Sequence, residues 1–167
     1  MHMEYEKNTT TLRAKKVSES TTEQTYCIRY PHLNSLNRLF GGQLLEWIDE
    51  TGAMAARRHC GRDAITACID NLHFKCGAYL NDIVVLVAKV TYVGTTSMEV
   101  RVDTYVEDAE GARHAINRAY MVMVAIGDDG KPTKVPALIT ETPSEQMEWE
   151  NALKRKEYRT KRKQEGF

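Results

Sequence analysis

Several features that mark whole classes of protein are missing from this sequence. It has no uninterrupted apolar run of about 18 residues, the length that crosses a bilayer as a helix. Its first residues, MHMEYEKNTTTLRAKK, contain no apolar core of a signal peptide. The 23 basic and 23 acidic residues cancel, so no net charge attracts the chain to nucleic acid or to a membrane surface. We therefore expect a cytoplasmic protein that binds neither nucleic acid nor membranes.

The sequence also contains few cysteines, and they show no pattern that binds a metal. None of the four forms a CxxC pair or has His or Asp beside it at metal-ligand spacing; they are Cys27, Cys60, Cys68 and Cys76. We expect them to be reduced, buried and inert. The sequence predicts no metal site.

What is present fits a single domain with extensions at both ends. A chain of 167 residues, 42% of them hydrophobic, is long enough for one core and too short to predict two. Residues 1–22 are rich in Thr, Ser and charge without a sustained period, which is typical of a flexible arm. The periodic segments that follow place the domain at 23–141 and a basic C-terminal helix or tail at 142–167.

One helix stands out, in HLNSLNRLFGGQLLEWIDETGAMAARRH at 32–59. Apolar and small residues at helical spacing predict a helix from Gly42 to His59, which Gly61 ends. Asp49 lies on the same face as this apolar stripe. An ionised carboxylate there loses hydration worth several kcal/mol unless it is partnered or faces a cleft. Asp49 is therefore a candidate functional residue, and an ion pair with an arginine across a dimer contact is the alternative.

The pattern changes to a two-residue period after Gly61. Four segments at 64–74, 82–93, 96–107 and 113–126 alternate in polarity and are separated by turn residues, and a shorter strand is predicted from Glu23 to Tyr30. In the third long segment, Met98, Val100 and Val102 predict a dry face, and the charged residues between them predict a wet one. We expect an antiparallel meander whose dry face packs against the helix.

The C-terminal stretch begins with a helix-start signal. In TPSE, Thr142 can cap the helix, Pro143 can be its first residue and Glu145 can complete a capping box. The stretch ends in KRKEYRTKRKQEGF, which is strongly basic. This segment is either a solvated polar helix or a basic patch that meets ligand phosphates.

The order of these elements resembles the hotdog-fold acyl-CoA thioesterases, in particular the branch of the bacterial short- and medium-chain hydrolases and the brain-type cytosolic hydrolase. The resemblance rests on the Asn-x5-FGG-x6-Asp spacing, on ITACIDNLHF, on VGTTSMEVRVDTYVE and on GKPTKVPAL, and it spans residues 30–140. It implies an α+β hotdog fold with one long central helix wrapped by a curved antiparallel sheet, followed by a C-terminal helix.

The same resemblance assigns the site residues. Asn34 and Asp49 match the catalytic pair, which in that family meets across a dimer. The residues implied to contact the substrate are Phe40, Gly41, Gly42, Phe74, Thr96 and Ser97. Asn37 stands where many relatives have Gly, and Asn also tolerates positive φ.

The implied reaction is hydrolysis of acyl-CoA, with no cofactor besides the CoA of the substrate. Asp49 would act as general base or nucleophile, Asn34 would orient the water or the carbonyl, and amides at the Gly-Gly helix start would stabilise the oxyanion. The alternative is a module that binds or senses acyl-CoA without catalysis. Asn34, Thr96 and Ser97 can also be plain turn residues. We expect self-association as a dimer and, through a trimer of dimers, as a hexamer.

Overall fold

The computed structural model describes residues 12–70 and 72–167, and one helix packed on one sheet forms its centre. In chain order the elements are β1 (Lys15–Lys16), α1 (Val17–Ser20), β2 (Thr22–Cys27), α2 (Gly41–Cys60), β3 (Asp63–Ile69), β4 (Ile83–Val93), β5 (Ser97–Glu107), β6 (Arg113–Ile126), β7 (Leu138–Ile139) and α3 (Pro143–Glu165), with a 3-10 turn at Tyr30–His32. The predicted α+β architecture of a central helix, an antiparallel sheet and a C-terminal helix is confirmed.

Helix α2 begins and ends one residue beyond the predicted bounds. It ends at Gly61, whose φ of 67° lies in the left-handed region that glycine adopts without strain. The middle of its buried face has a residue without a side chain, Gly52. A Cβ at this position would clash with the sulfur of Met121 and lie 3.5 Å from Val102 Cγ2. Because position 52 has no side chain, the helix axis lies close to the sheet there.

The main sheet has five antiparallel strands in the order β2-β4-β5-β6-β3. Only β4, β5 and β6 form the predicted meander. Strand β3 pairs with β6 at the far edge rather than with β4, so the predicted order of the four long strands was wrong. The connection at 70–82 is long enough to cross the sheet, whereas the meander assumed a hairpin-like link.

The polar face of β5 is not wet, which corrects a second expectation. Met98, Val100 and Val102 are fully buried on the α2 side, as predicted, but Glu99 and Asp103 on the opposite face are also buried. Helix α3 lies over that face, and its arginines form ion pairs with Glu99. Glu99 is neutralised by these partners far along the chain, and Asp103 pairs with Arg101 of its own strand and Arg118 of β6.

The N-terminal arm is ordered in the residues nearest the domain. Strand β1 pairs in parallel with β7, with Lys15 opposite Leu138, and Val17 and Ser20 of α1 are buried. A two-residue strand and a four-residue helix are too short to show a period, so the sequence carried no signal for them. Residues 1–11 of the arm lie outside the described residues.

The end of β2 and the start of α3 follow local signals in the sequence. Strand β2 stops at Cys27, short of the predicted Tyr30, which is instead the first residue of the 3-10 turn that contains Pro31. Helix α3 starts as predicted: Thr142 Oγ1 accepts a hydrogen bond from the Glu145 amide at 3.2 Å, and the Glu145 carboxylate accepts one from the Thr142 amide at 3.2 Å. In the described part of the chain, neither α3 nor any other helix combines the length and apolarity needed to cross a bilayer.

Candidate active site

Asp49 is half-buried on α2 and is held by a hydroxyl. The Oγ1 of Thr66, on β3, donates a hydrogen bond to Asp49 Oδ1 at 2.5 Å, and the same Oγ1 lies 3.3 Å from the sulfur of Met123. Within the described part of this chain, no arginine or lysine forms an ion pair with Asp49. The carboxylate therefore keeps its second oxygen, Oδ2, for another partner.

Thr66 is a site residue that the sequence analysis missed. It lies on β3, seventeen positions after Asp49 in the chain, and its hydroxyl faces the Asp49 carboxylate. Threonine is common in strands for reasons of packing alone, so its presence in AITACID carried no functional signal.

Asn34 lies in the loop before α2, and the oxygen and nitrogen of its side-chain amide have different surroundings. Its Oδ1 accepts hydrogen bonds from the amides of Leu36 at 2.9 Å and Arg38 at 3.2 Å. Since both partners are donors, the oxygen of the side-chain amide must face them and the Nδ2 group faces away. No described residue accepts a hydrogen bond from Nδ2. Asn34 is thus a turn residue that still presents two free N–H donors.

The loop also explains the residue at position 37. Asn37 has a φ of 55°, in the left-handed region, and its amide donates to the Asn34 carbonyl at 3.0 Å. Asparagine adopts this conformation more readily than most residues with a side chain. The loop closes with the Asn34 amide on the Arg38 carbonyl at 2.8 Å.

Four of the predicted substrate-contacting residues meet at the start of α2. A Cβ on Gly41 would lie 3.3 Å from Phe74 Cζ, and a Cβ on Gly42 would clash with the ring of Phe40. Both rings remain about half exposed, Phe40 at 56% and Phe74 at 53%. Two exposed aromatic rings around a helix start are typical of a surface that a ligand or a second subunit covers.

The start of α2 also has unused hydrogen-bond donors. Phe40 is the N-cap residue, and no side chain caps the helix. The first bond of the helix joins the Leu44 amide to the Phe40 carbonyl at 3.1 Å, and among the described residues no acceptor pairs with the amides of Gly41, Gly42 and Gln43. Free amides and the positive end of the helix dipole together favour a negative charge at this position.

Thr96 and Ser97 lie apart from these groups, at the turn between β4 and β5. The Gly94 amide donates to the Ser97 carbonyl at 2.8 Å, and the Ala125 amide donates to the Thr96 carbonyl at 2.9 Å. Their backbone carbonyls therefore accept hydrogen bonds at the turn, and their side chains are half-buried. Within the described chain no hydrogen bond joins Asn34 to Asp49, and none joins either of them to this turn.

The cations of α3 divide into two groups, of which only the lysines remain open to the two alternatives left by the sequence. Arg155 and Arg159 face the sheet in ion pairs with Glu99, and Arg162 pairs with Asp70 at 2.7 Å. The exposed cations are the lysines Lys154, Lys156, Lys161 and Lys163.

Comparison with known sequences identifies the family. Residues 36–112 match the thioesterase superfamily. An uncharacterized acyl-CoA thioester hydrolase of Bacillus subtilis, YkhA, is 38% identical over 131 residues, which are 78% of this chain and 76% of that protein. The chain belongs to the thioesterase superfamily.

Solved structures of thioesterases match the whole fold. An acyl-CoA hydrolase from Staphylococcus aureus, solved in complex with butyryl-CoA and CoA, has a TM-score of 0.87 and 33% identity, covering 92% of this chain and 94% of the other. A hexameric acyl-CoA thioesterase has a TM-score of 0.86 and 37% identity, covering 90% and 97%. The predicted hotdog thioesterase fold and family are confirmed.

The Staphylococcus aureus hydrolase has also been solved as three single variants, in which one Asn, one Asp or one Thr is replaced by Ala. In sequence, those three residues of that hydrolase are separated by the same intervals as Asn34, Asp49 and Thr66 in this chain.

Proposed function

We propose that this thioesterase hydrolyses the thioester of acyl-CoA to a free acid and CoA, with Asp49 as general base. The observation that carries the proposal is the state of Asp49: it is half-buried and fixed by one hydroxyl, and no arginine or lysine among residues 12–70 and 72–167 forms an ion pair with it. A carboxylate held in this way is available to take a proton. The residue intervals shared with the Staphylococcus aureus variants support the same assignment.

The reaction assigns a separate task to each group. Asp49 Oδ2 takes a proton from water, because the other oxygen already accepts from Thr66. The water oxygen bonds to the thioester carbon, the tetrahedral intermediate collapses, the C–S bond breaks, and the thiolate of CoA leaves and is protonated. No metal or redox cofactor takes part in these steps.

The developing oxyanion needs donors, and the loop and the helix start supply them. The amides of Gly41 and Gly42 have no partner in the described chain and lie beside the positive end of the helix dipole. Asn34 Nδ2 donates either to the carbonyl oxygen or to the attacking water. Glycine suits these positions because a side chain would separate the substrate from the amides.

We infer that the complete site needs a second copy of the chain. No hydrogen bond joins Asn34 to Asp49 within one described chain, both rings at the helix start are exposed, and β3 is an edge strand with Ile65 largely exposed. We propose a dimer in which Asn34 of one protomer faces Asp49 of its partner, and a trimer of such dimers. Sedimentation as a monomer at micromolar concentration would contradict this assembly.

The test of the reaction is CoA release from acyl-CoAs of two to sixteen carbons, followed with a thiol reagent. Wild-type protein should release CoA, and Asp49→Asn should be slower by roughly 10²- to 10⁴-fold, the usual contribution of a general base. Glu46→Gln is the matched control, since it removes an exposed carboxylate from the same helix. If the wild type binds acyl-CoA and releases no thiol, the protein is a binding module. If Asp49→Asn keeps full turnover, Asp49 is not the base.

A further inference from the structure

Asp70 marks the point where the chain leaves β3 and enters the crossover segment, which we define as Asp70 together with the described residues 72–82. Its amide donates to the Tyr120 carbonyl at 2.8 Å, so its backbone still follows β6. Its two carboxylate oxygens each accept from a different arginine of α3: Arg159 Nη1 lies 2.6 Å from Oδ2, and Arg162 Nη2 lies 2.7 Å from Oδ1. Two cations of α3 thus hold the end of one edge strand.

This attachment is anchored in the sheet. Arg159 Nη1 also donates to Glu99 Oε2 at 2.8 Å, and Glu99 accepts from Arg155 Nη2 at 2.7 Å. The Glu99 side chain is 1% exposed, so this carboxylate is fully desolvated and depends on both arginines. A buried charged network with several mutual hydrogen bonds has one favourable arrangement, which makes it rigid.

The position of Asp70 in the chain connects the network to the active site. Thr66, which donates to Asp49, lies on β3 four residues before Asp70. Phe74, which covers Gly41 at the helix start, lies the same distance downstream. Between Asp70 and Phe74 the chain is held at His73, whose carbonyl accepts from Asn117 Nδ2 at 2.8 Å.

We propose that Arg159 and Arg162 are positioning residues of the thioesterase: through Asp70 they fix the end of β3 and the crossover segment, and so place Thr66 against Asp49 and Phe74 against Gly41. This inference rests on the proposed function. It gives α3 a role in catalysis although the helix contributes no group to the reaction. Within one chain, strand β3 pairs only with β6, so the contacts of Asp70 add to its attachment.

The test compares two carboxylates that tie α3 to the sheet. Asp70→Asn removes the charge that holds the crossover segment. Glu148→Gln is the control: Glu148 accepts from Arg101 at 2.9 Å and from Arg155 at 3.2 Å, and its side chain is 18% exposed against 14% for Asp70. Both variants should lower the melting temperature by similar amounts.

Only Asp70→Asn should also lower kcat, by roughly ten- to a hundredfold, because small displacements of catalytic groups have effects of that size. Arg162→Gln should lower kcat less, since its side chain is 37% exposed and Arg159 remains on Asp70. If Asp70→Asn does not fold, Arg162→Gln takes its place in the comparison. Equal falls in kcat for Glu148→Gln, or unchanged kcat in both Asp70→Asn and Arg162→Gln, would overturn the proposal.

A second measurement separates this proposal from the proposed function. The Lys75 amide donates to the Ile116 carbonyl at 3.2 Å, and its hydrogen exchange should become faster in Asp70→Asn than in Glu148→Gln. If wild-type protein releases no CoA, the proposed function fails, and faster exchange would still show that Asp70 holds the segment. Unchanged exchange in Asp70→Asn would show that it does not.

Discussion

The two long helices of this protein begin in opposite ways. Helix α3 starts with a complete capping box, in which Thr142 and Glu145 satisfy each other's amides. Helix α2 starts at Phe40 with no side-chain cap, and its first amides have no partner in the described chain. A helix start without a cap loses stability, typically about 1 kcal/mol, unless a ligand or another chain supplies the acceptor. The difference indicates which helix end belongs to the active site.

The charged groups of the two helices also differ, because the inward-facing ones of α3 are in ion pairs and Asp49 of α2 has no such pair within the described chain. The inward-facing arginines of α3 are paired with carboxylates of the sheet, among them Glu99 and Asp70. Asp49 of α2 has only the hydroxyl of Thr66. The structural charges of α3 are neutralised inside the fold, whereas the charge that we propose as the base forms no ion pair with a described residue.

Asn34→Ala should produce the largest change near the start of α2. Loss of the Nδ2 donor should lower kcat about a hundredfold, close to 3 kcal/mol, the usual effect of removing one donor to an oxyanion. Asn34→Asp is the matched variant, because it keeps an acceptor for the Leu36 and Arg38 amides and loses the donors. Both variants should be slow in the CoA-release assay, and only Asn34→Ala should also lose stability. Normal turnover in Asn34→Asp would remove the donor role.

Giving α2 a cap should make the two helix starts alike. In Phe40→Asp, a carboxylate at the N-cap would accept from the free amides and compete with the oxyanion. Compared with Phe40→Ala, which removes the ring without adding a cap, it should melt at a higher temperature and turn over about tenfold more slowly, a difference of about 1.4 kcal/mol. Equal kcat values for the two variants would show that these amides do not take part in the reaction.

Removing the cap of α3 should affect stability alone. Thr142→Ala leaves the Glu145 amide without its acceptor and should lower the free energy of unfolding by about 1 kcal/mol. Thr142→Ser keeps the acceptor and should be close to wild type. Urea unfolding measures the difference, and kcat should be the same in all three proteins. A fall in kcat for Thr142→Ala would mean that the first turn of α3 also contributes to the site.

The smallest effect concerns the C-terminal end of α2, where His59 is buried and donates Nε2–H to the Pro136 carbonyl at 3.0 Å. Burial lowers the pKa of His59, against a smaller raising effect of that hydrogen bond. The unfolded chain therefore binds a proton more readily than the folded one. This contribution to stability is complete above about pH 6.5, the ordinary value for histidine, and is lost as the pH falls below it.

The measurement for His59 is the melting temperature between pH 7.5 and pH 5.5. The wild type should lose more stability over this interval than His59→Gln, which keeps a donor for Pro136 and does not titrate. A parallel decline in the two proteins would contradict the assignment.

Elements with a sustained period were predictable from the sequence, and pairings between distant elements were not. The bounds of α2 and the cap of α3 follow from local signals at Gly61 and Thr142. The place of β3 beside β6 depends on where a long crossover leads, which no local pattern encodes. The burial of Glu99 depends on Arg155, more than fifty positions away.

The candidate site shows the same division. Asp49 was recognisable because a carboxylate interrupts an apolar stripe, and Asn34 because of the family spacing. Thr66 was missed, since its role follows from one hydrogen bond across two elements. The sequence also could not predict that Asn34 uses Oδ1 within the loop and leaves Nδ2 free. That division follows from the positions of the Leu36 and Arg38 amides.

Gly52 has a practical consequence for altering this enzyme. It lies one helical turn after Asp49, and its missing side chain is what allows α2 to rest on Met121 and Val102. Any larger residue at position 52 would lift the helix and move Asp49 away from Thr66. Redesign toward bulkier acyl groups should therefore alter Phe40 or Phe74, whose rings have room to change, and leave this glycine untouched.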